Sequence, residues 1–166
     1  MKTITLIILS VFSLSVFSQN EKEKRAAFKF EIAANETQQY AMNVEESQYF
    51  VKEKVLQLFC NESVFVECEI QGDSISKMKV VEKNINPGKT IIIEFTQNSE
   101  DRKNITTDLH VKNPFNKKLI YEAQMFTPIS QVWKNTSILP ISPNLQNFEM
   151  WPHAIITLVL YNWKIE

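Results

Sequence analysis

Hydrophobic and polar residues alternate along most of the chain from residue 26 onward, as they do in β-strands that bury one face. Phe28, Phe30 and Ile32, for example, alternate with Lys29 and Glu31. Further segments that alternate or are rich in β-branched residues are 64–70, 75–81, 90–97, 105–112, 118–126 and 154–165. Short strands that recur about every 8–12 residues, with turn signals between them, predict an all-β fold, an antiparallel β-sandwich.

Turn residues separate several of these segments. The sequences NPGK at 86–89 and NPFN at 113–116 each contain a proline, which fixes φ, and the first adds a glycine. Another polar stretch, NSEDRKN at 98–104, reads as a loop. These breaks divide the chain into strands of the length expected in a sandwich.

One segment, residues 44–58, fits two structures. Its apolar residues recur at helical spacing from Val44 to Leu58, and Asn43 with Glu46 resembles a capping box. The other interpretation is a strand that starts near Tyr49, followed by a second at 55–60. The sequence leaves both a short helix and two strands open here.

The two cysteines, Cys60 and Cys68, flank the sequence NESVFVE. If the strands on either side of residues 61–63 form a tight hairpin, the two Cα atoms lie about 13 Å apart. A disulfide needs Cα atoms within about 7 Å. The hairpin and a Cys60–Cys68 disulfide therefore exclude each other, and two buried thiols are the alternative to the disulfide.

The first eighteen residues have the pattern of a secretory signal peptide. Lys2 precedes an apolar stretch from Ile4 to Phe17, and Ser18 ends it. The run is shorter than the roughly 20 apolar residues of a transmembrane helix. We therefore predict a signal peptide at 1–18 and one β-sandwich domain at 19–166, exported to the periplasm or secreted. The mixed-charge start of that domain, QNEKEKRAA, is expected to be a solvated arm.

Composition excludes several kinds of site. Only Gly72 and Gly88 are glycines, so the chain has no glycine-rich phosphate loop, dinucleotide fingerprint or nucleophile elbow. The net charge of −1 gives no argument for nucleic acid or an anionic membrane as partner. No cofactor is predicted.

Three stretches resemble a known group of proteins. INPGKTIIIEF and LHVKNPFNKKLIYEAQMF combine a turn with an apolar strand, and EMWPHAIITLVLYNW ends the chain. They resemble immunoglobulin-like β-sandwich domains of uncharacterised exported bacterial proteins, from about Phe65 to the C-terminus. The resemblance implies a sandwich fold and an address in the cell envelope, and it implies no catalytic residue.

The residues that could carry chemistry are few. His110 shares a strand face with Asp108, but no nucleophile accompanies them. Glu67 and Glu69 flank Cys68 on what reads as a solvated strand face. Neither histidine lies in a metal-binding motif. We therefore predict a protein that is not an enzyme, with no catalytic, metal or cofactor residue.

The sequence Trp151-Pro152-His153 precedes the apolar run of the last strand. Proline cannot donate to a strand ladder, so Pro152 is expected to set the entry of that strand and Trp151 to cap the core. The alternative is an exposed platform for a peptide or glycan, since exposed aromatic residues are good anchors. Trp151, Pro152, His153 and Trp133 are therefore the candidate interaction surface.

These observations favour a non-catalytic exported domain with a structural or protein-binding role in the bacterial cell envelope. Its partner is expected to be another envelope or secreted protein, with no nucleic acid and no stable membrane insertion after signal cleavage. One alternative is a β-barrel that carries a small apolar ligand. A hydrolase with His110 or His153 beside a carboxylate in a pocket is a third.

Overall fold

The computed structural model describes residues 20–166, which form fourteen strands and one short 3-10 turn, Pro87–Lys89. The predicted signal peptide, residues 1–18, lies outside the described residues. Ten of the strands form two five-stranded antiparallel sheets that pack face to face. The predicted all-β antiparallel sandwich is confirmed.

Sheet I and sheet II are defined by their strands in spatial order. Sheet I contains β13 (Gln146–Trp151), β10 (Thr106–Lys112), β9 (Thr90–Asn98), β7 (Glu62–Gln71) and β8 (Ser74–Val81). Sheet II contains β12 (Trp133–Thr136), β11 (Leu119–Phe126), β14 (Thr157–Ile165), β6 (Val55–Phe59) and β5 (Phe50–Lys52). Two small sheets add β1 (Lys24–Arg25) paired with β4 (Ser47–Gln48), and β2 (Phe28–Ala33) paired with β3 (Gln39–Val44). Because each five-stranded sheet keeps two edges, these residues do not form the closed sheet that the carrier hypothesis required.

The core follows from the alternation seen in the sequence. On β9, Ile91, Ile93 and Phe95 are fully buried, while Glu94 between them faces solvent. Leu158 and Leu160 of β14 meet this layer from sheet II. Burial of such side chains contributes about 1.5–3 kcal/mol each relative to exposure, so the shared interior holds the two sheets together.

Residues 44–58 contain strands, so the helical interpretation is wrong. Tyr49 is buried, and its N–H donates to Glu23 O at 3.1 Å. Phe50 pairs with Leu56 across β5 and β6. The helical spacing of the apolar residues coincides with two short strands joined by a tight turn at residues 53–54, where Lys54 has φ of 54°.

The predicted tight hairpin around residues 61–63 is also wrong. β6 belongs to sheet II and β7 to sheet I, so the chain crosses between the sheets at Cys60 and Asn61. Asn61 has φ of 71°, a conformation that asparagine tolerates better than most residues. Cys60 and Cys68 are both free and buried, so the disulfide left open by the sequence is not formed.

The start of the described chain is not a solvated arm. Lys22 N–H donates to Val80 O at 2.8 Å, and Glu21 bridges Val81, so residues 20–22 cover part of the β8 edge. Arg25 is buried at 2% exposure. The prediction failed because the partners of these charged residues are far away in sequence.

The final strand starts at Thr157, three residues later than predicted, and lies between β11 and β6. Its side-chain alternation changes at Asn162, which has φ of 55°. Trp163 and Ile165 consequently join Leu158 and Leu160 as buried residues. Trp163 stacks on Tyr121 with ring centroids 4.7 Å apart.

Candidate interaction surface

A side-chain hydrogen bond joins two edge strands at one flank of the sandwich. β12 is the edge of sheet II and β13 is the edge of sheet I. Trp151 Nε1 donates to Thr136 Oγ1 at 2.9 Å, and Leu139 N–H donates to Glu149 Oε1 at 2.9 Å. These two hydrogen bonds hold the end of β12 and the segment that follows it against β13.

This flank concentrates exposed apolar side chains. Eleven large hydrophobic residues of the described chain are exposed, and seven of them fall between residues 129 and 150. We call these seven the edge surface: Ile129, Val132, Trp133, Leu139, Leu145, Phe148 and Met150. Single exposed apolar residues are ordinary, whereas a concentration on one side of a domain marks an interaction site.

One part of the edge surface, the Trp133 patch, consists of Ile129, Val132 and Trp133. The Trp133 side chain is 44% exposed, and its ring packs against Phe126 with centroids 5.5 Å apart. The loop that carries the patch is closed by Gln131 N–H, which donates to Thr127 O at 3.1 Å. Residues 124–133 contain no charged side chain, which is the composition of an interface centre rather than its rim.

The other part of the edge surface lies on the outer face of β13. Phe148 is 63% exposed and Met150 is 68% exposed. Phe148 is the cross-strand neighbour of His110, and the two rings stack 4.3 Å apart at an interplanar angle of 3°. His110 Nε2 also lies 3.1 Å from Gln146 Oε1, so this histidine fixes the outer face of β13 at two positions.

Ladder geometry determines which backbone groups of β13 are unpaired. Asn113 N–H donates to Leu145 O at 2.9 Å, in the same register as the unbroken β10–β13 ladder. Because hydrogen-bonded pairs alternate in an antiparallel ladder, Asn147, Glu149 and Trp151 face β10 with their backbone groups. The N–H and C=O groups of Gln146, Phe148 and Met150 point away from β10 and have no hydrogen bond within residues 20–166.

The structure separates the four residues predicted as an interaction surface. Trp151 is buried at 9% exposure and fills the gap between the two edges. Pro152 is exposed, and His153 is half-buried with its carbonyl oxygen accepting from Thr107 Oγ1 at 2.8 Å. Trp133 is the member of the four that presents a large ring to solvent. The Trp-Pro-His sequence thus lies at the corner between β13 and β14.

The candidate chemical residues are engaged in contacts on strand faces. His110 Nδ1 lies 3.1 Å from Glu94 Oε2, and its other ring nitrogen contacts Gln146, so both nitrogens are occupied. Glu67 accepts from Asn86 Nδ2 at 2.6 Å and lies 3.5 Å from Lys79 Nζ. These carboxylates bind neighbouring side chains of the sheet surface. Within residues 20–166, no cluster of three or more His, Cys, Asp or Glu side chains could hold a metal ion.

The cleft beside Arg25 has a structural explanation. It measures about 330 Å³ and is lined by Arg25, Phe28, Tyr49, Cys60 and Glu62, among others. The guanidinium is fully hydrogen-bonded and stacks on Tyr49, 4.5 Å from the ring centroid. Burial raises the pKa of the Cys60 thiol to about 12, so it is not a thiolate nucleophile near neutral pH.

Sequence reasoning missed Phe148 and Met150 of the edge surface, which are 63% and 68% exposed. Phe148 and Met150 alternate with Asn147 and Glu149 in the sequence QNFEMW, which is a strand pattern. Phe148 and Met150 face solvent, however, whereas Asn147 and Glu149 are partly buried on the side of the gap between the sheets. The alternation of apolar and polar residues between Pro143 and Pro152 was the signal that could have identified β13.

Comparison with protein-family models, with curated proteins and with solved structures found no match to this chain. Across residues 20–166, no helix has the length and apolar character needed to cross a bilayer.

Proposed function

We propose that this protein is a non-catalytic, exported β-sandwich domain that binds another envelope or secreted protein through the Trp133 patch. The observation that carries the proposal is the concentration of exposed apolar residues on the β12–β13 flank. The signal-peptide pattern of residues 1–18 supports export, and the two-sheet architecture supports kinship with immunoglobulin-like exported domains.

The Trp133 patch has the physical properties of a binding anchor. The Trp133 ring rests on Phe126, so it loses little conformational freedom when a partner covers it. Ile129, at 74% exposure, offers further apolar area beside it. Lys134 follows directly in sequence and is exposed, which gives the uncharged centre a polar rim.

The experiment that tests this function places a photo-crosslinking amino acid at Ile129 of the full-length chain in its native host. A matched control carries the same amino acid at Ile85, which is also highly exposed but lies in the loop between β8 and β9. We expect one stoichiometric protein adduct from position 129 and none from position 85. The double variant Ile129→Ser/Val132→Ser should weaken that complex at least about tenfold without changing the unfolding midpoint.

Two results would overturn the proposal. Equal adducts from positions 85 and 129 would mean that the patch has no selectivity. Capture of lipid or another small molecule, with no protein, would replace the binding module with a carrier. Export is tested separately by N-terminal sequencing of the mature protein, which should begin at Gln19.

A further inference from the structure

We infer that a second copy of this chain pairs with the free edge of β13, in antiparallel orientation about a twofold axis at Phe148, and joins the two copies of sheet I. This goes beyond the proposed function, because it uses β13 and leaves the Trp133 patch to the other partner. Three features of β13 support this pairing: its unpaired backbone groups, its side chains and its length.

The backbone groups set the register. Gln146, Phe148 and Met150 carry the outward N–H and C=O groups, and they are centred on Phe148. An antiparallel copy with Phe148 opposite the partner's Phe148 places Gln146 opposite the partner's Met150. It also places Met150 opposite the partner's Gln146. All three outward residues then form hydrogen-bonded pairs, giving about six interchain hydrogen bonds. A register shifted by two residues would leave one of the three without a β13 partner.

The side chains between these positions are complementary in the same register. Asn147 falls opposite the partner's Glu149, so no carboxylate faces a carboxylate. Glu149 Oε1 already accepts from Leu139 N–H and from Asn147 Nδ2 at 2.8 Å, and Glu149 Oε2 has no hydrogen bond within residues 20–166. The partner's Asn147 amide is a suitable donor to that oxygen. Two symmetry-related Asn–Glu contacts result.

The outer face gains an aromatic contact. In this register the two copies of Phe148 are direct cross-strand neighbours, and each is already stacked on its own His110. The dimer therefore places four rings in a row, His110 and Phe148 from each copy. It also buries much of the Phe148 side chain, which is 63% exposed in the single chain. Met150 covers the partner's Gln146.

The ends of β13 limit the length of the paired stretch, and the twofold symmetry limits the assembly to two copies. Pro143 and Pro152 flank the strand, so proline, which cannot donate to a ladder, bounds the paired stretch on both sides. The twofold axis uses the same edge on both molecules, so each copy is satisfied by one partner. Because a six-residue edge buries less than a standard interface of about 1,600 Å², we expect dissociation in the micromolar range.

Charge exchange at position 148 provides the test, with the protein purified after export. Sedimentation equilibrium should show a monomer–dimer equilibrium for the unaltered protein. Phe148→Lys and Phe148→Glu, each of which places like charges opposite each other, should weaken the dimer at least about thirtyfold. An equimolar mixture of the two variants should restore it, because lysine then lies opposite glutamate. Ile85→Lys is the control for an added surface charge.

Cysteine crosslinking tests the register. In a hydrogen-bonded antiparallel pair the Cα atoms are about 5.5 Å apart, within disulfide range. Phe148→Cys should therefore form a symmetric covalent dimer under mild oxidation, whereas Met150→Cys, which lies opposite Gln146, should not. The native Cys60 and Cys68 are buried and should not interfere.

The inference fails if the unaltered protein remains a monomer up to about 1 mM, or if it forms a dimer that Phe148→Lys leaves intact. A monomer that still yields the position-129 adduct would retain the proposed function and reject only self-pairing. A dimer together with no selective adduct at position 129 would reject the proposed function and retain this inference. Capture of another protein at Phe148 in place of a second copy would also overturn the inference.

Discussion

Arg25 and Glu62 form a bidentate ion pair, with Arg25 Nε 2.9 Å from Glu62 Oε1 and Arg25 Nη2 3.1 Å from Glu62 Oε2. The remaining guanidinium hydrogens reach Ser47 Oγ, Gln48 O and Gln57 O, and Glu62 also accepts from Phe59 N–H at 2.8 Å. One buried side chain thereby connects β1, β4, β6 and β7 at the point where the chain changes sheets.

Removal of Arg25 should therefore be among the most damaging single substitutions. Arg25→Met leaves the Glu62 carboxylate without its charge partner, and we expect a loss of about 3–5 kcal/mol in the free energy of unfolding. Urea denaturation measures it. The double variant Arg25→Met/Glu62→Gln should lose less than Arg25→Met alone, because no unpaired charge is left.

The exposed Lys24–Glu46 pair supplies the control for that prediction. Its nitrogen–oxygen distance of 2.9 Å equals that of Arg25 and Glu62, yet both side chains are more than half exposed. Lys24→Met should leave the denaturation midpoint almost unchanged, since water screens such pairs. Equal losses of unfolding free energy for Lys24→Met and Arg25→Met would contradict the claim that burial makes the Arg25–Glu62 pair the more important one.

A second prediction concerns Asn113, which is fully buried in the turn between β10 and β11. Its Nδ2 donates to the carbonyl oxygens of Lys117, Ile141 and Ser142, and its Oδ1 accepts from Phe115 N–H. Asn113→Ala should cost more than about 2 kcal/mol of unfolding free energy, because several buried backbone groups lose their partner. Asn116→Ala, at an exposed position of the same turn, should cost little, and similar costs for both would argue against the network.

Thiol chemistry gives a third prediction. Burial raises the pKa of Cys60 and of Cys68 to about 12. Because the thiolate is the reactive form, iodoacetamide at pH 8 should modify the native protein at least about a hundredfold more slowly than the urea-unfolded chain. Mass spectrometry at timed intervals gives both rates. Labelling of either thiol at the rate of free cysteine would show that it is accessible.

The same thiols predict a loss of stability at alkaline pH. Their pKa values rise from 9.0 in the unfolded chain to about 12 in the folded protein, so the folded state retains protons that the unfolded state releases. The contribution is complete below pH 9 and is lost as the pH rises toward 12, by up to about 1.4 kcal/mol per pH unit for each thiol. Cys60→Ala/Cys68→Ala should flatten the pH dependence of the unfolding free energy between pH 9 and 11. An unchanged slope of the unfolding free energy against pH in the double variant would contradict this prediction.

A fifth prediction concerns the hairpin of β2 and β3. Gln97 Nε2 donates to Ala33 O, and Gln97 Oε1 accepts from Ala33 N–H, both at 2.9 Å. Gln97→Ala removes both bonds, so hydrogen exchange should accelerate in residues 28–44 more than in β9 or β10. Gln71→Ala, at the exposed end of β7, is the matched control, and uniform acceleration would instead indicate global destabilisation.

Much of the sandwich could be predicted from alternation because its inner strands bury one face. The predicted segments 75–81, 105–112 and 118–126 match β8, β10 and β11 to within one residue at either end. Their apolar residues face the core, so the period of two in the sequence is also the period of burial.

The sheet to which each strand belongs could not be predicted. β6 and β7 are separated by two residues, and such a short connection suits a hairpin as well as a step between sheets. The outcome depends on β14, which pairs Thr157 with Phe59 from far along the chain. The edge surface was harder still, because Phe148 faces solvent and Glu149 faces inward, the reverse of an ordinary amphipathic strand.

The place of β14 in sheet II has a consequence for folding order. Leu158 pairs with Leu58, and Thr157 Oγ1 donates to Leu58 O at 2.7 Å, so the middle of the sheet depends on residues about a hundred positions apart. β6 and β11 have no common neighbour in sheet II until β14 has been synthesised. Such long-range closure is slow. Sheet II should therefore remain incomplete until almost the whole chain has been synthesised, whereas β7 to β10 of sheet I can already pair.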